Sequence, residues 1–305
     1  MRTLRDGELT HGVDPADYPD YTVHGVYPWT VLDGRAGEWQ ARKKWWRGLP
    51  CDETGGRDEH LLLGARSSER HRRISGGTSR FDPMLAEVLI TWYTPPGGLI
   101  VDPFAGGAVR GVVADRLGRH YVGIDLSERQ AAANREVSQG GLARWVTGDA
   151  VAEMSTMPDG SADAVLTCPP YHCAERYSDD PRDLSVMSWA EHLAAVEAVA
   201  VDAYRVLADD RFLVWVTGDL RGPDGHLRQL PEHTARLLVG AGFRPVNHHI
   251  LVTPVGTMYR MLRRWWTNTS SAGRVHQHVW VMVKGDRRRA TAAARGGGTP
   301  PSAVL

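Results

Sequence analysis

Leu99-Ile100-Val101-Asp102-Pro103-Phe104-Ala105-Gly106-Gly107 is the stretch on which the reading of this sequence turns. An apolar run long enough for a buried strand ends in an acid and a proline, and two glycines follow just ahead of a helix-forming segment. Glycines there let the backbone come close to a ligand at the amino end of the next helix. Outward from this point the text alternates at βαβ spacing. Upstream, a helix is predicted from Pro83 to Tyr93, amphipathic in pattern, before the turn Pro95-Pro96-Gly97-Gly98. Downstream come a helix over Ala108 to Leu117, a strand His120 to Asp125, a helix Ser127 to Gln139, a strand Arg144 to Thr147 and a strand Ala162 to Thr167. A long helix, Trp189 to Leu207, precedes a strand Phe212 to Thr217, then a helix Pro231 to Gly240 and strands Val246 to Val252 and Gln277 to Lys284. Seven strands interleaved with helices predict an α/β, doubly wound sheet, with its ligand site at the carboxyl ends of the strands near the topological switch point.

The acids at the strand ends sharpen this. Asp125 closes the second strand as Val122-Gly123-Ile124-Asp125-Leu126, where a carboxylate can accept both hydroxyls of an adenosine ribose. Asp149, in Thr147-Gly148-Asp149-Ala150, closes the third and is placed to accept an adenine amino group. The same placement would serve NAD, but the loop is not G-x-G-x-x-G, and Asp102 would repel a pyrophosphate. A ligand carrying an amino group and a sulfonium suits Asp102 better. The structural alternative is that Asp102, Asp125 and Asp149 only cap the helices that follow. A second motif, Thr167-Cys168-Pro169-Pro170-Tyr171, stands at the end of the fourth strand.

Asp102-Pro103-Phe104-Ala105-Gly106-Gly107 with Gly123-Ile124-Asp125 resembles the cofactor motif of the DNA amino-methyltransferases, and Cys168-Pro169-Pro170-Tyr171 resembles their catalytic D/N/S-P-P-Y. The resemblance runs from Phe81 to Lys284. Its order, cofactor loop first and Pro-Pro-Tyr later, is gamma-like and similar to modification methylases of phages and actinobacteria. It implies a Rossmann-like, seven-stranded class I S-adenosylmethionine-dependent methyltransferase fold, with S-adenosyl-L-methionine as cofactor. The cofactor-binding residues it implies are Phe81 and Asp82, from a segment beside the methionine part, then Asp102, Pro103, Phe104, Ala105, Gly106, Gly107, Asp125, Leu126, Asp149, Ala150 and Cys168. The implied catalytic residues are Cys168, Pro169, Pro170 and Tyr171.

An exocyclic base amine has its lone pair delocalised into the ring, so it attacks a methyl sulfonium poorly until acceptors face its N–H bonds. In an X-Pro-Pro-Tyr turn the prolines hold the backbone extended, a carbonyl and the side chain of X are offered as acceptors, and the aromatic ring stacks on an extruded base. This chain departs from the family at Cys168. A thiol accepts weakly, so either the Pro169 carbonyl dominates or Thr167 or His172 assists. Serine at X accompanies cytosine N4 in the family and acids accompany adenine N6; cysteine is isosteric with serine, which favours cytosine N4. A Cys168 nucleophile of the C5-methyltransferase kind is disfavoured because those enzymes carry Pro-Cys. A metal held by Cys168, His172 and Cys173 lacks a fourth ligand, and no metal is expected.

Formal charge cancels, with 36 basic and 36 acidic residues, so nucleic-acid affinity must come from local clusters. Between Asn247 and Lys284 there is no acid, while Arg260, Arg263, Arg264 and Arg274 stand beside Tyr259, Trp265 and Trp266. That pattern suits phosphate contact and base stacking, unless the aromatics pack a hairpin. Tyr171, His172, Tyr177, Arg260, Arg263, Arg264 and Trp265 are the expected substrate-binding residues. Glu175 to Asp180 reads either as a loop closing over the base or as a solvated turn. Trp215 and Asp219, at the next strand end, read either as pocket lining or, for Trp215, as core. Trp39, Arg42, Lys43, Lys44, Trp45, Trp46 and Arg47 form a second basic aromatic cluster, in residues 1–78, an N-terminal extension outside the catalytic domain. That domain is expected over 79–286, with a basic aromatic insertion at about 254–276 and a disordered tail at 287–305. No target-recognition domain of conventional size is expected, which favours a short site or a partner that supplies recognition. Three cysteines, no apolar run of the ~18 to 20 residues that cross a bilayer and no apolar leader predict a cytoplasmic protein without a membrane partner. The expected partners are nucleic acid, with DNA favoured, and a second copy of the chain as a homodimer. The competing readings are an RNA base-amine methyltransferase, a small-molecule N-methyltransferase, and a module that binds the cofactor without turnover.

Overall fold

The computed structural model describes residues 20–49, 80–172, 177–256 and 259–296. Cys173, Glu175 and Arg176, expected near the site, lie outside these residues, as do 50–79 of the N-terminal extension and the end of the tail from 297. The strands are β1 (Val31–Asp33), β2 (Leu99–Asp102), β3 (His120–Asp125), β4 (Ala143–Thr147), β5 (Ala162–Thr167), β6 (Leu207–Thr217), β7 (Arg244–Val252) and β8 (His276–Lys284). They form one sheet in the order β1-β7-β8-β6-β5-β2-β3-β4. Only β8 runs antiparallel to its neighbours, β6 and β7. The chain winds outward from β2 through β3 to β4, then returns to lay β5 on the other side of β2, with Val101 opposite Val165. The switch point therefore falls between β2 and β5, the two strands whose loops carry the glycine-rich and Pro-Pro-Tyr motifs.

The helices are α1 (Gly37–Arg47), α2 (Pro83–Tyr93), α3 (Val109–Arg116), α4 (Glu128–Val137), α5 (Ala150–Thr156), α6 (Trp189–Val206), α7 (Leu230–Gly240), α8 (Tyr259–Thr269) and α9 (Arg287–Ala294). Local signals start several of them. Asp82 caps α2 and Pro83 occupies its first turn, Ser127 caps α4, and Ser188 with Glu191 forms a capping box on α6. One face of the sheet packs with α1, α2, α3 and α9 into a core that includes Trp39, Trp46, Leu89, Tyr121 and Val281. The other face meets α5, α6 and α7 through Met154, Val199, Ala203, Trp215 and Phe243.

Four expectations are corrected by this arrangement. The sheet has eight strands, not seven, because Val31–Asp33 adds a short parallel edge beside β7. The stretch read as an extension reaches the core: Trp39 and Trp46 of α1 are each 1 % exposed. α2 is buried nearly all round instead of being amphipathic, because the sheet lies on one side of it and α1, α3 and α9 flank the others. Residues 287–294, expected in a disordered tail, form α9: Asp286 accepts from the Arg289 amide and Ala290, Ala293 and Ala294 pack into the core. The alanines are small enough to let this short helix lie close against α2 and β6.

Glu87 explains how α1 is held. It sits on the buried helix α2, 2 % exposed, and its carboxylate receives Arg42 through Nε at 2.8 Å and Nη2 at 2.7 Å, Trp46 Nε1 at 2.6 Å and the His24 ring at 3.0 Å. Asp82 receives Lys43 Nζ at 2.7 Å and Trp39 Nε1 at 3.2 Å besides its capping bond. The cluster from Trp39 to Arg47 is thus divided, with Lys44, Trp45 and Arg47 exposed. Arg42, Lys43, Trp39 and Trp46 are spent on docking α1 to α2. Burial alone would push the Glu87 carboxyl up, but the bonds from His24, Arg42 and Trp46 outweigh it and bring the group down to about 2.

Candidate active site

Loops from β2, β3, β4 and β5 meet at one edge of the sheet. After β2 the chain turns through Gly106 at a φ of 55°, a left-handed conformation that glycine adopts without strain. The Gly106 amide then donates to Asp125 Oδ2 at 2.9 Å, and the Ala105 amide to the Ile124 carbonyl at 2.9 Å. The loop is tied to the end of β3 by the carboxylate expected to hold a ribose. Asp125 Oδ1 also accepts the Ser127 amide at 2.8 Å, and the residue stays half-buried. Asp149 caps α5, accepting from the Val151 amide at 2.8 Å, so the capping alternative is real for this acid, yet it too is half-buried. Leu126 and Ala150 flank the same edge and are partly exposed, as are Phe104 and Gly107, while Pro103 and Ala105 are buried. Half-buried carboxylates at the ends of adjacent strands β3 and β4, with glycine backbone between β2 and β3, give a donor set that fits a nucleoside.

Asp102 departs from its expected role. It has no exposed surface, and both its oxygens are engaged by the chain. Oδ1 accepts the Thr167 hydroxyl at 2.7 Å and the Phe104 amide at 3.1 Å; Oδ2 accepts the Tyr121 hydroxyl at 2.7 Å and pairs directly with Arg110 Nε. Four donors leave no lone pair for a ligand amine. Asp102 is instead the hub that joins β2, β3, β5 and α3 beneath the loop. Asp82 likewise is used by α1 and α2, whereas Phe81, half-buried, lies with its ring 4.5 Å from the Arg110 guanidinium carbon.

The Pro-Pro-Tyr turn leaves β5 beside this loop. Cys168 Sγ is 3.5 Å from the Tyr171 hydroxyl, and Gln277 Nε2 of β8 donates to that hydroxyl at 2.9 Å. Burial pushes the Tyr171 hydroxyl well up, so it stays protonated, although the residue as a whole is only half-buried. The Arg274 guanidinium stands 5.6 Å from the ring centroid and donates to the Asp219 carbonyl. Gln277 and Arg274 therefore position the tyrosine, a role for which the sequence held no local signal because both arrive on the antiparallel strand β8 or just before it.

Two proposed helpers of Cys168 are excluded by geometry. Thr167 is fully turned to Asp102. His172, expected on the substrate, is 7 % exposed, with a φ of 47°; its Nε2 donates to the Met187 carbonyl at 3.0 Å and its ring packs against Trp189 and His192. Its buried Nδ1 has no partner among the described residues, and burial lowers the pKa of the ring. Tyr177 lies in a turn where its amide donates to Ser185 Oγ and where Ser178 bonds Asp183, so the described part of that segment is a locally satisfied turn. Trp215, 1 % exposed, is core against Phe104, and Asp219 accepts the Leu220 and Leu230 amides ahead of α7.

The basic aromatic insertion is a helix, α8, on the β7–β8 connection that leads back to Arg274 and Gln277. Every residue of it is exposed, so its aromatics do not pack a hairpin. Arg260, Arg263 and Arg264 share one side by helical spacing, and Tyr259, Leu262 and Trp266 share another. No helix of the described residues is long and apolar enough to cross a membrane.

Sheet order, the antiparallel β8 and the placement of the loops define a Rossmann-like class I fold of the S-adenosylmethionine-dependent methyltransferases. Within that class the chain resembles the DNA amino-methyltransferases: residues 38–136, about a third of it, match the model of a DNA methylase family. The match takes in α1. Among solved structures the chain is similar to a provisionally named DNA modification methylase from Thermus thermophilus, at 20% identity over 46% of this chain and 51% of that one, with a TM-score of 0.34. It thus spans about half the length of that protein, which has also been solved with S-adenosyl-L-methionine. It is similar as well to a TehB-like methyltransferase from Corynebacterium glutamicum, at 15% identity over 71% of this chain and 95% of that one, TM-score 0.43. A methyltransferase from Methanosarcina mazei matches at 12% identity over 65% and 97% of the two chains, TM-score 0.44.

Proposed function

We propose that the chain is an S-adenosyl-L-methionine-dependent methyltransferase acting on an exocyclic amino group of a DNA base, with cytosine N4 favoured over adenine N6. The observation that carries this reading is the placement of Cys168-Pro169-Pro170-Tyr171 at the end of β5, directly across the switch point from the glycine loop of β2. Asp125 and Asp149 would hold the ribose hydroxyls and the adenine amine, and S-adenosyl-L-methionine, when bound, supplies an electrophilic methyl group. The chain's own task is to make the amine nucleophilic. With Thr167 and His172 committed elsewhere, the Pro169 carbonyl is the strong acceptor for one N–H, and Cys168 Sγ a weak one beside it. No strong base is needed, because the proton leaves an amine that has already become cationic. Tyr171, anchored by Gln277, offers its ring to the extruded base. The arginines of α8 are the phosphate contacts, supported by the absence of any acid from Asn247 to Lys284.

Nucleoside mass spectrometry of DNA and RNA from cells expressing the chain tests this beside a Pro170→Ala control. N4-methylcytosine in DNA is expected with the native chain only. Methyladenine alone would replace the cytosine preference with adenine N6; methylation confined to RNA would move the substrate.

The tyrosine anchor also makes Gly218 sensitive. A Cβ there would stand 2.9 Å from Arg274 Nη1 and 3.1 Å from Tyr171 Cε2. Gly218→Ala is expected to lower transfer roughly 10- to 100-fold by displacing the ring. The thermal midpoint should move by a few degrees at most. Initial rates taken beside a melting curve check this, and unchanged rates would mean that Tyr171 need not be held where it lies.

A further inference from the structure

Just past Gly218, the glycine that touches Tyr171, the chain makes a small hairpin between β6 and α7. Arg221 and Leu227 form an antiparallel bridge, and the Arg228 amide donates to the Leu220 carbonyl at 2.8 Å. The hairpin sets Arg228 against Trp189, its guanidinium carbon 5.6 Å from the ring centroid. Trp189 in turn packs on His172, the residue after Tyr171, with the two rings 5.3 Å apart. Arg228 is close enough to His172 that its charge adds to burial in lowering the pKa of that ring. The catalytic turn is therefore adjoined from two directions: Gln277 and Arg274 reach Tyr171, while Trp189 and Arg228 stand at His172.

Arg228 has no anion of the protein's own. Arg110 has Asp102 and Arg211 has Asp163, but the half-buried Arg228 side chain makes neither an ion pair nor a hydrogen bond among the described residues. Its Nε is sealed from solvent without an acceptor, which costs on the order of 1–3 kcal/mol. The acids of the hairpin are turned elsewhere, Asp219 to the Leu220 and Leu230 amides and Asp224 to the His226 amide. Gly222 makes room for the group, since a Cβ there would stand 2.5 Å from Nε and 2.6 Å from Cζ and Nη2. A planar cation seated between an indole and a glycine, with no acid to meet it, fits an anion brought by the substrate.

We propose that Arg228 is a phosphodiester contact for the strand that carries the target base, an assignment that rests on the DNA methyltransferase reading. Guanidinium is a planar fork suited to phosphate oxygens, and Trp189 and Gly222 already orient it, so little ordering remains on binding. Its task differs from that of the α8 arginines. Those lie on a fully exposed helix, whereas Arg228 is fixed beside the residue that follows Tyr171, so its phosphate sets the register of the strand over the catalytic turn.

Fluorescence anisotropy of a labelled mixed-sequence DNA duplex with the full chain, repeated over a salt series, tests this. Each phosphate contact adds about 0.9 to the slope of log affinity against log salt. Arg228→Gln should lower that slope by about 0.9 and weaken the duplex roughly 3- to 10-fold near about 0.1 M salt. S-adenosylhomocysteine should bind it as tightly as it binds the native chain. Arg116→Gln, the same charge change at the far end of α3, should leave the slope as it is. Gly222→Ala keeps every charge but pushes the guanidinium off its seat, so it too should weaken the duplex by roughly 3- to 10-fold, and it decides the matter if Arg228→Gln does not fold. A native slope in Arg228→Gln, native duplex affinity in Gly222→Ala, or an equal loss of slope in Arg116→Gln overturns the assignment and leaves the methyltransferase reading in place. A native chain that binds S-adenosylhomocysteine but no duplex removes the DNA reading, and this assignment with it.

Discussion

Glu87→Ala is expected to lower the unfolding free energy by about 3–5 kcal/mol, the usual consequence of removing one side of a buried ion pair. Trp46 would be left buried and Arg42 part-buried around an empty position, and His24 would lose its acceptor. Because α1 carries Trp39 and Trp46 into the core, its release should also expose indole surface. Urea denaturation followed by tryptophan fluorescence measures both effects. The same group gives a pH signature. Its folded-state carboxyl lies at about 2 against an ordinary 4.5, so it contributes fully above about pH 4.5 and loses that contribution as pH falls toward 2. The native chain should lose stability through this window and the variant should lose less. A variant within 1 kcal/mol of native, with the same acid slope, would mean that α1 is not docked through Glu87.

Asp125→Ala is expected to weaken S-adenosylhomocysteine by roughly 100-fold or more, since charged hydrogen bonds of about 1.5–3 kcal/mol each to two ribose hydroxyls are lost. The Gly106 amide loses its acceptor in the same step, which loosens the loop that must approach the ligand. The fold should survive, because Asp125 is half-buried and α4 keeps its Ser127 cap. Calorimetry beside circular dichroism separates the two. A folded Asp125→Ala chain with native affinity would remove Asp125 from the cofactor site.

The parts of this molecule that are legible in the sequence are those with short-range causes. The strand Leu99–Asp102, its glycines and Asp125 are written in residue type and spacing, and so is the position of Pro169-Pro170-Tyr171 at the next strand end across the switch point. What escapes is long-range. Pro83 to Tyr93 reads as an amphipathic helix until Arg42, more than forty residues before Glu87, is found against that buried acid. Asp102 reads as a ligand acid until Tyr121, Thr167 and Arg110 arrive from three other elements. Gln277 means nothing beside Tyr171 until β8 runs antiparallel to β6. The Ala-rich helix after Asp286 is different, because its signal is local: a capping acid followed by alanines at helical spacing looks like low complexity but makes a small packing face.

The most direct measurement is transfer of an isotopically labelled methyl group from S-adenosyl-L-methionine to duplex DNA by the purified full chain, with digestion to nucleosides and location of the label. Label is expected on the exocyclic nitrogen of cytosine with the native chain and on no base with Pro170→Ala. Label on a ring carbon, or none on any DNA base from a folded chain that binds the cofactor, would contradict it.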